Sequence, residues 1–172
     1  MVAIDELNYD RKKQRISFLR NWFVTKPCVP VSAVQHTAGR FEVIDKESVY
    51  VTIGDLGYTE IDNRAKSGDL GSIFKVSAKS AVKISQGHRN PQGLVWGNVN
   101  GADRLFSSEH GPFSDDEINI IEGFKNYGHP LVIGYAADGN YNGTTTPGLS
   151  TSTSAGVSFG WTNTTTYTVD GQ

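Results

Sequence analysis

Between positions 87 and 130 the chain reads GHRNPQGLVW, then SSEHGPFSDDEINII, then KNYGHP. Nowhere else are Arg, His, Asn, Pro, Gly and acidic residues packed so densely. His88, Arg89 and Asn90 offer hydrogen-bond donors in a row. Pro91 fixes its own φ and pushes Asn90 out of the helical region, so these donors sit on a rigid turn. Gly111-Pro112 makes a second rigid turn, whose carbonyls need partners. Ser114, Asp115, Asp116 and Glu117 then place hard oxygen ligands beside it, the kind that calcium takes. The same acids also read as a solvated turn in which Asp115 and Asp116 cap the backbone.

These residues need elements to hold them. The chain has 172 residues, enough for one domain with a sizeable core. Its 19 glycines and many Thr, Ser, Val and Tyr predict strands and tight turns. Residues 3–9 and 15–23 flank a charged segment at 10–14, which predicts a β-hairpin. A helix over 7–19 competes, but apolar residues are too sparse in its middle. Residues 40–44 and 48–53 predict a second hairpin, in which Val49, Val51 and Ile53 alternate with Ser48, Tyr50 and Thr52, the period of a half-buried strand. Residues 58–70 are polar and irregular. Short strands are predicted at 72–76, 81–85, 93–96, 104–107 and 117–121. Trp96 and Phe106 are expected between sheets, Trp161 in a more exposed place, and the lone Cys28 as a small apolar filler. The Thr/Ser/Asn/Gly-rich stretch 142–172 reads as a loop or weak edge strands. Such spacing means an all-β sandwich, barrel or propeller, without choosing among them.

A net charge of -2 with scattered Lys and Arg argues against a nucleic-acid or membrane-surface binder. Arg11, Lys12 and Lys13 read as a solvated turn. No apolar run approaches the roughly 20 residues of a membrane span, and no signal peptide is visible at the N-terminus.

The ordered set GHRNPQGL at 87–94, EHGP at 109–112, DEIN at 116–119 and NYGHP at 126–130 resembles the soluble pyrroloquinoline quinone (PQQ)-dependent aldose sugar dehydrogenases, or glucose/sorbosone dehydrogenases. His129 stands where that family usually has Trp. The resemblance implies a six-bladed β-propeller of four-stranded antiparallel blades. About two to three of these blades would lie in residues 1–172, with 35–138 matching best. An internal fragment is therefore expected, in which the isolated chain does not turn over sugar.

By the same resemblance, His36 in the segment QHTAGR is the general base, and Asp55, at a strand end, holds and polarises it. An imidazole can accept a proton near neutral pH, as that role requires. Gln35 would contact the sugar, where well-studied relatives carry Asp. Arg89 would lie against the quinone and stabilise negative charge on its oxygens, with Asn90 and Gln92 lining the cofactor site. Taken without the resemblance, Arg89 reads as a structural arginine tying backbone carbonyls together, and His88 as a brace for the turn. The carbonyls of Gly111 and Pro112 would hold the Ca2+ ion that also binds PQQ. Glu117 and Tyr127, with the carbonyls of Ile133 and Tyr135, match a second calcium region, where Asp138 lies one residue past the family carboxylate.

The implied activity is oxidation of an aldose at the anomeric carbon to a lactone, with hydride transfer to PQQ and an external electron acceptor. A periplasmic or secreted setting, and a homodimer of the whole protein, are also implied. The alternative is a non-catalytic, calcium-stabilised propeller module for partner binding. Retention of His36, Arg89 and Gly111-Pro112 together argues against it.

Overall fold

The computed structural model describes residues 1–30, 35–111 and 116–130, and the backbone of a short strand at Val157–Phe159. Strands β1 (Ala3–Asp10) and β2 (Arg15–Val24) form an antiparallel hairpin. Asp10 closes its turn, since Oδ1 accepts the amides of Lys12 and Lys13 at 3.0 and 3.1 Å. The basic cluster at this turn is solvent-exposed, and the competing helix does not form.

Strands β3 (Ala38–Val43), β4 (Ser48–Ile53), β5 (Ser72–Ser77) and β6 (Ala81–Gln86) make an antiparallel meander. Between β4 and β5 the irregular stretch contains one turn of helix, α1 (Arg64–Ser67), capped by the Asn63 side chain on the Ala65 amide. Strands β7 (Pro91–Val99), β8 (Ala102–Glu109) and β9 (Asp116–Ile121) form the next antiparallel sheet. Strand β10 (Lys125–Asn126) returns to the first sheet and lies parallel to β6, a departure from a purely antiparallel blade. Strand β11 (Val157–Phe159) extends the second sheet along β9. This is an edge strand within the Thr/Ser-rich stretch; the rest of that stretch, Trp161 included, lies outside the described residues.

The meander is packed on both faces. Val51, Ile53, Phe74 and Val76 meet Ile4, Trp22 and Phe23 from the hairpin, with the Phe23 and Phe74 rings 4.8 Å apart. On the other face Ile73 and Tyr50 meet Leu94, Leu105 and Ile121 of the second sheet. Strand β4 is therefore not half-buried as its alternation suggests: Val51, Thr52 and Ile53 are all fully covered. Each such aliphatic side chain contributes about 1.5–3 kcal/mol by leaving water.

Three expectations about packing need correction. Phe106 pairs with Val95 across β7 and β8, on the outer face of the second sheet, so it is only half-buried. Trp96 shares a face with Leu94 but sits at its margin, 38% exposed, edge-on to Tyr50. Cys28 is exposed, and its neighbour Val29 takes the core position. Among the described residues no helix is long and apolar enough to cross a membrane.

Candidate active site

Alternate strands of the meander and the second sheet run in one direction. The C-terminal ends of β4, β6, β8 and β10 therefore come together, and the polar motif residues follow those ends. Asp55 follows β4, His88 and Arg89 follow β6, Glu109 ends β8, and His129 lies just past β10. His36 enters from the segment before β3.

Close backbone approach sets this geometry. A Cβ on Gly54 would lie 1.6 Å from the His36 carbonyl oxygen, so only glycine lets the two segments pass. Asp55 N donates to the Arg89 carbonyl at 2.8 Å, which joins the β4 and β6 exits. His36 itself has φ 52, a left-handed conformation that costs a non-glycine residue energy and marks a constrained position.

Asp55 is buried and lies between two imidazoles. Its Oδ1 accepts from His36 Nδ1 at 2.9 Å and from Gly57 N at 2.7 Å. Its Oδ2 accepts from His129 Nε2 at 2.9 Å. Burial alone would raise the Asp55 pKa, but the hydrogen bonds from His129, Gly57 and His36 outweigh it and hold the carboxyl below its usual range. A carboxylate only accepts, so His36 Nδ1 carries a proton here, and the lone pair of its neutral ring is at Nε2. Arg89 Nη2 faces that atom at 2.9 Å. Arg89 Nη1 donates to the carbonyls of His110 and Gly111 at 3.3 and 3.0 Å. Its reading as a tie between carbonyls is thus part of the geometry, alongside its contact with His36.

Behind this face lies a second polar cluster. Glu109 Oε1 accepts from His88 Nδ1 and from Asn119 Nδ2, both at 2.9 Å, and Oε2 accepts from Arg89 N at 2.9 Å. His88 has no exposed surface; its Nε2 is 2.8 Å from Ser85 Oγ, and its ring stacks on Tyr127 at 4.7 Å. Burial would raise the Glu109 pKa, but His88 and the Arg89 amide overcome it, so the carboxyl stays ionised well below the usual range.

Of the other predicted positions, Gln35 is exposed beside His36. Asn90 is buried, and its Oδ1 accepts from Ala38 N at 3.1 Å, which anchors the segment carrying His36. Gln92 lines an open cavity of about 530 Å³ with Arg40, His110, Asp116 and Glu117. Glu117 Oε2 accepts from Asn119 Nδ2 at 2.9 Å. Tyr127 Oη donates to the Ile120 carbonyl at 2.6 Å and accepts from Glu122 N at 2.8 Å. Pro112, Ile133, Tyr135 and Asp138 lie outside the described residues. Among the described residues no group of three or more His, Cys, Asp or Glu is arranged around a metal-sized space. The first calcium position was expected from the carbonyls of Gly111 and Pro112; the Gly111 carbonyl accepts from Arg89 Nη1, as does that of His110, and Pro112 lies outside the described residues.

Sequence reasoning missed Glu109 and His129 as members of the site. Both were visible as motif letters, but Asp55 and His129 are separated by 74 positions, so only the fold reveals their contact. The departure from Trp at 129 was the one available signal.

The sequence profile named Glucose / Sorbosone dehydrogenase matches residues 1–168. Quinoprotein glucose dehydrogenase B of Acinetobacter calcoaceticus is 32% identical over 141 residues, covering 64% of this chain and 29% of that protein. Aldose sugar dehydrogenase YliI of Escherichia coli is 29% identical over 119 residues, covering 59% of this chain and 31% of that protein. The solved PQQ-bound form of aldose sugar dehydrogenase from Streptomyces coelicolor aligns with a TM-score of 0.62 at 29% identity, over 78% of this chain and 42% of that one. The chain thus spans under a third of the length of these curated relatives. Its stacked sheets are part of a β-propeller, the fold of those structures.

Proposed function

The chain belongs to the glucose/sorbosone dehydrogenase family, and from that premise we propose that it carries the base and one cofactor-facing side of a PQQ- and calcium-dependent site. The reaction is oxidation of an aldose at its anomeric carbon to the lactone. The observation that carries this reading is the His36 lone pair at Nε2, fixed by Asp55 on one side and facing Arg89 on the other.

The residues present fit the two groups. Backbone carbonyl oxygen is a ligand that calcium takes, and the Gly111 carbonyl, one of the two expected ligands, lies at this face beside Arg89. Arg89 is half-buried, permanently charged and planar, which suits an anionic quinone oxygen. PQQ held beside Arg89, Asn90 and Gln92 would supply the hydride acceptor, and calcium held by the Gly111 and Pro112 carbonyls would supply Lewis acidity. Everything else is work for side chains. His36 Nε2 takes the proton of the anomeric hydroxyl as its O–H bond breaks and the C=O bond forms. Asp55, ionised and bonded to Nδ1, stabilises the imidazolium so produced. Arg89 must withdraw Nη2 from His36 for that proton to arrive. Gln35 and the open cavity beside Gln92 are the places for sugar hydroxyls and cofactor edge. Glu117, Tyr127 and Asp138, with the carbonyls of Ile133 and Tyr135, remain candidates for the second calcium. The external electron acceptor, the periplasmic or secreted setting and a homodimer belong to the same proposal.

Equilibrium dialysis against PQQ with Ca2+ tests the reading without relying on turnover. Binding is expected, and Arg89→Ala should weaken it about tenfold or more through loss of charge-assisted hydrogen bonds. No binding by the folded chain, or equal binding by the variant, would sink it. Dye reduction with PQQ, Ca2+ and an aldose then measures whether this chain alone suffices.

A further inference from the structure

We propose that His129 is a positioning residue for His36, acting through Asp55. The carboxylate of Asp55 has two oxygens, and they are held from different elements. Oδ1 takes His36 Nδ1 and the nearby Gly57 amide. With Oδ1 alone engaged, the carboxylate could turn about its Cβ–Cγ bond and carry the hydrogen bond to His36 with it. His129 Nε2 on Oδ2, at 2.9 Å, removes that freedom.

His129 is itself fixed at both ends of its backbone unit. Its amide donates to the Gly87 carbonyl at 2.9 Å. Its carbonyl accepts from Arg64 Nη2 at 2.8 Å. Arg64 opens the short helix α1, whose first turn is capped by Asn63. A line of contacts therefore runs from α1 through His129 and Asp55 to His36. The line ends in a ring whose Nδ1 must donate, because an ionised carboxylate only accepts. The consequence is one tautomer of His36, with its lone pair always at Nε2, where Arg89 and the substrate hydroxyl meet it. Orientation of this kind is what a base needs before its proton affinity matters.

The inference rests on the reading of His36 as the base, but the two can fail separately. Ring geometry can be measured with no cofactor or sugar present, whereas loss of the base is read only from turnover.

Imidazole 15N and 1H NMR of the full 172-residue chain tests it. Wild type should show His36 as a single tautomer, with an Nδ1–H that exchanges slowly with water. His129→Phe, which keeps a ring but no donor, should speed that exchange about tenfold or more, the worth of a hydrogen bond to a charged group. His129→Gln, which restores an N–H donor, should return the rate close to wild type. Unchanged exchange in a folded His129→Phe chain overturns the proposal. So does a His129→Gln chain that exchanges as fast as the Phe variant, since that would make the role one of volume. Should His129→Phe fail to fold, Asp55→Asn decides. It must move the ring signals of both His36 and His129, and a His129 signal that stays put overturns the proposal.

Discussion

Glu109 and His88 meet at 2.9 Å, and so do Asp55 and His36, yet the rings differ in what faces their second nitrogen. His88 has Ser85 there, no exposed side-chain surface and Tyr127 stacked on its face. His36 keeps 19% of its side chain exposed, and among the described residues its second nitrogen meets the Arg89 guanidinium. A carboxylate bonded to an imidazole is therefore not a sign of catalysis by itself. The same pair is a frame when every donor and acceptor is enclosed, and a reactive couple when one lone pair is left for a guest. Glu109 joins the two, because it also holds the amide of Arg89.

The comparison breaks most visibly at Glu109. Glu109→Leu leaves the His88 Nδ1–H, the Arg89 amide and an Asn119 amide hydrogen without their buried acceptor. Removing one partner of a buried pair costs about 3–5 kcal/mol, and denaturant unfolding should show a loss of that size. A loss under about 1 kcal/mol would put this cluster in the class of surface pairs.

Asp55→Asn should cost less, about 1–3 kcal/mol. The Asn side chain can still accept from one histidine, and both rings can turn toward water, since they are 19% and 15% exposed. If Asp55→Asn proves as damaging to the fold as Glu109→Leu, the division between frame and reactive couple fails.

Acid compares both carboxylates in one experiment. In the unfolded chain they take up protons at about pH 4. In the fold both resist protonation to lower pH, because hydrogen bonds to the Asp55 carboxylate, and the His88 charge and hydrogen bonds at Glu109, outweigh burial. The folded state therefore binds fewer protons, and their stabilisation is complete above about pH 4 and drains away as pH falls toward the folded values. Unfolding free energy measured against pH should fall through that window in wild type. The fall should be shallower in Glu109→Leu, which has lost one of these two buried carboxylates.

Much of this was legible in the residues. The hairpins at the N-terminus and around Asp45-Lys46-Glu47 follow from alternation and charged turns, and both form. His36, Asp55 and Arg89 were picked out by motif resemblance, and the fold brings all three within hydrogen-bond reach. What the residues could not tell was which face of a strand looks inward when both sheets are packed. Phe106 is larger than Leu105, yet register puts Leu105 opposite Ile121 in the core and turns Phe106 out. The Glu109 cluster was hidden for a related reason. Ser85 lies on β6, His88 just after it, Glu109 on β8 and Asn119 on β9, and only sheet stacking makes one hydrogen-bond network of them.

The smallest stability effect is expected at the residue proposed to do the chemistry. His36 has φ 52, where Asn is one of the few side chains that sits with little strain. His36→Asn removes a bond to Asp55 that is partly open to water, while it eases the backbone. Its unfolding free energy should therefore lie within about 0.5 kcal/mol of wild type. An amide cannot take up the hydroxyl proton, so in a preparation that reduces dye with an aldose the rate should drop roughly 10²- to 10⁴-fold. A large loss of stability would assign His36 to the frame, with His88. An unchanged rate would remove it as the base and leave the lone pair at Nε2 without a task.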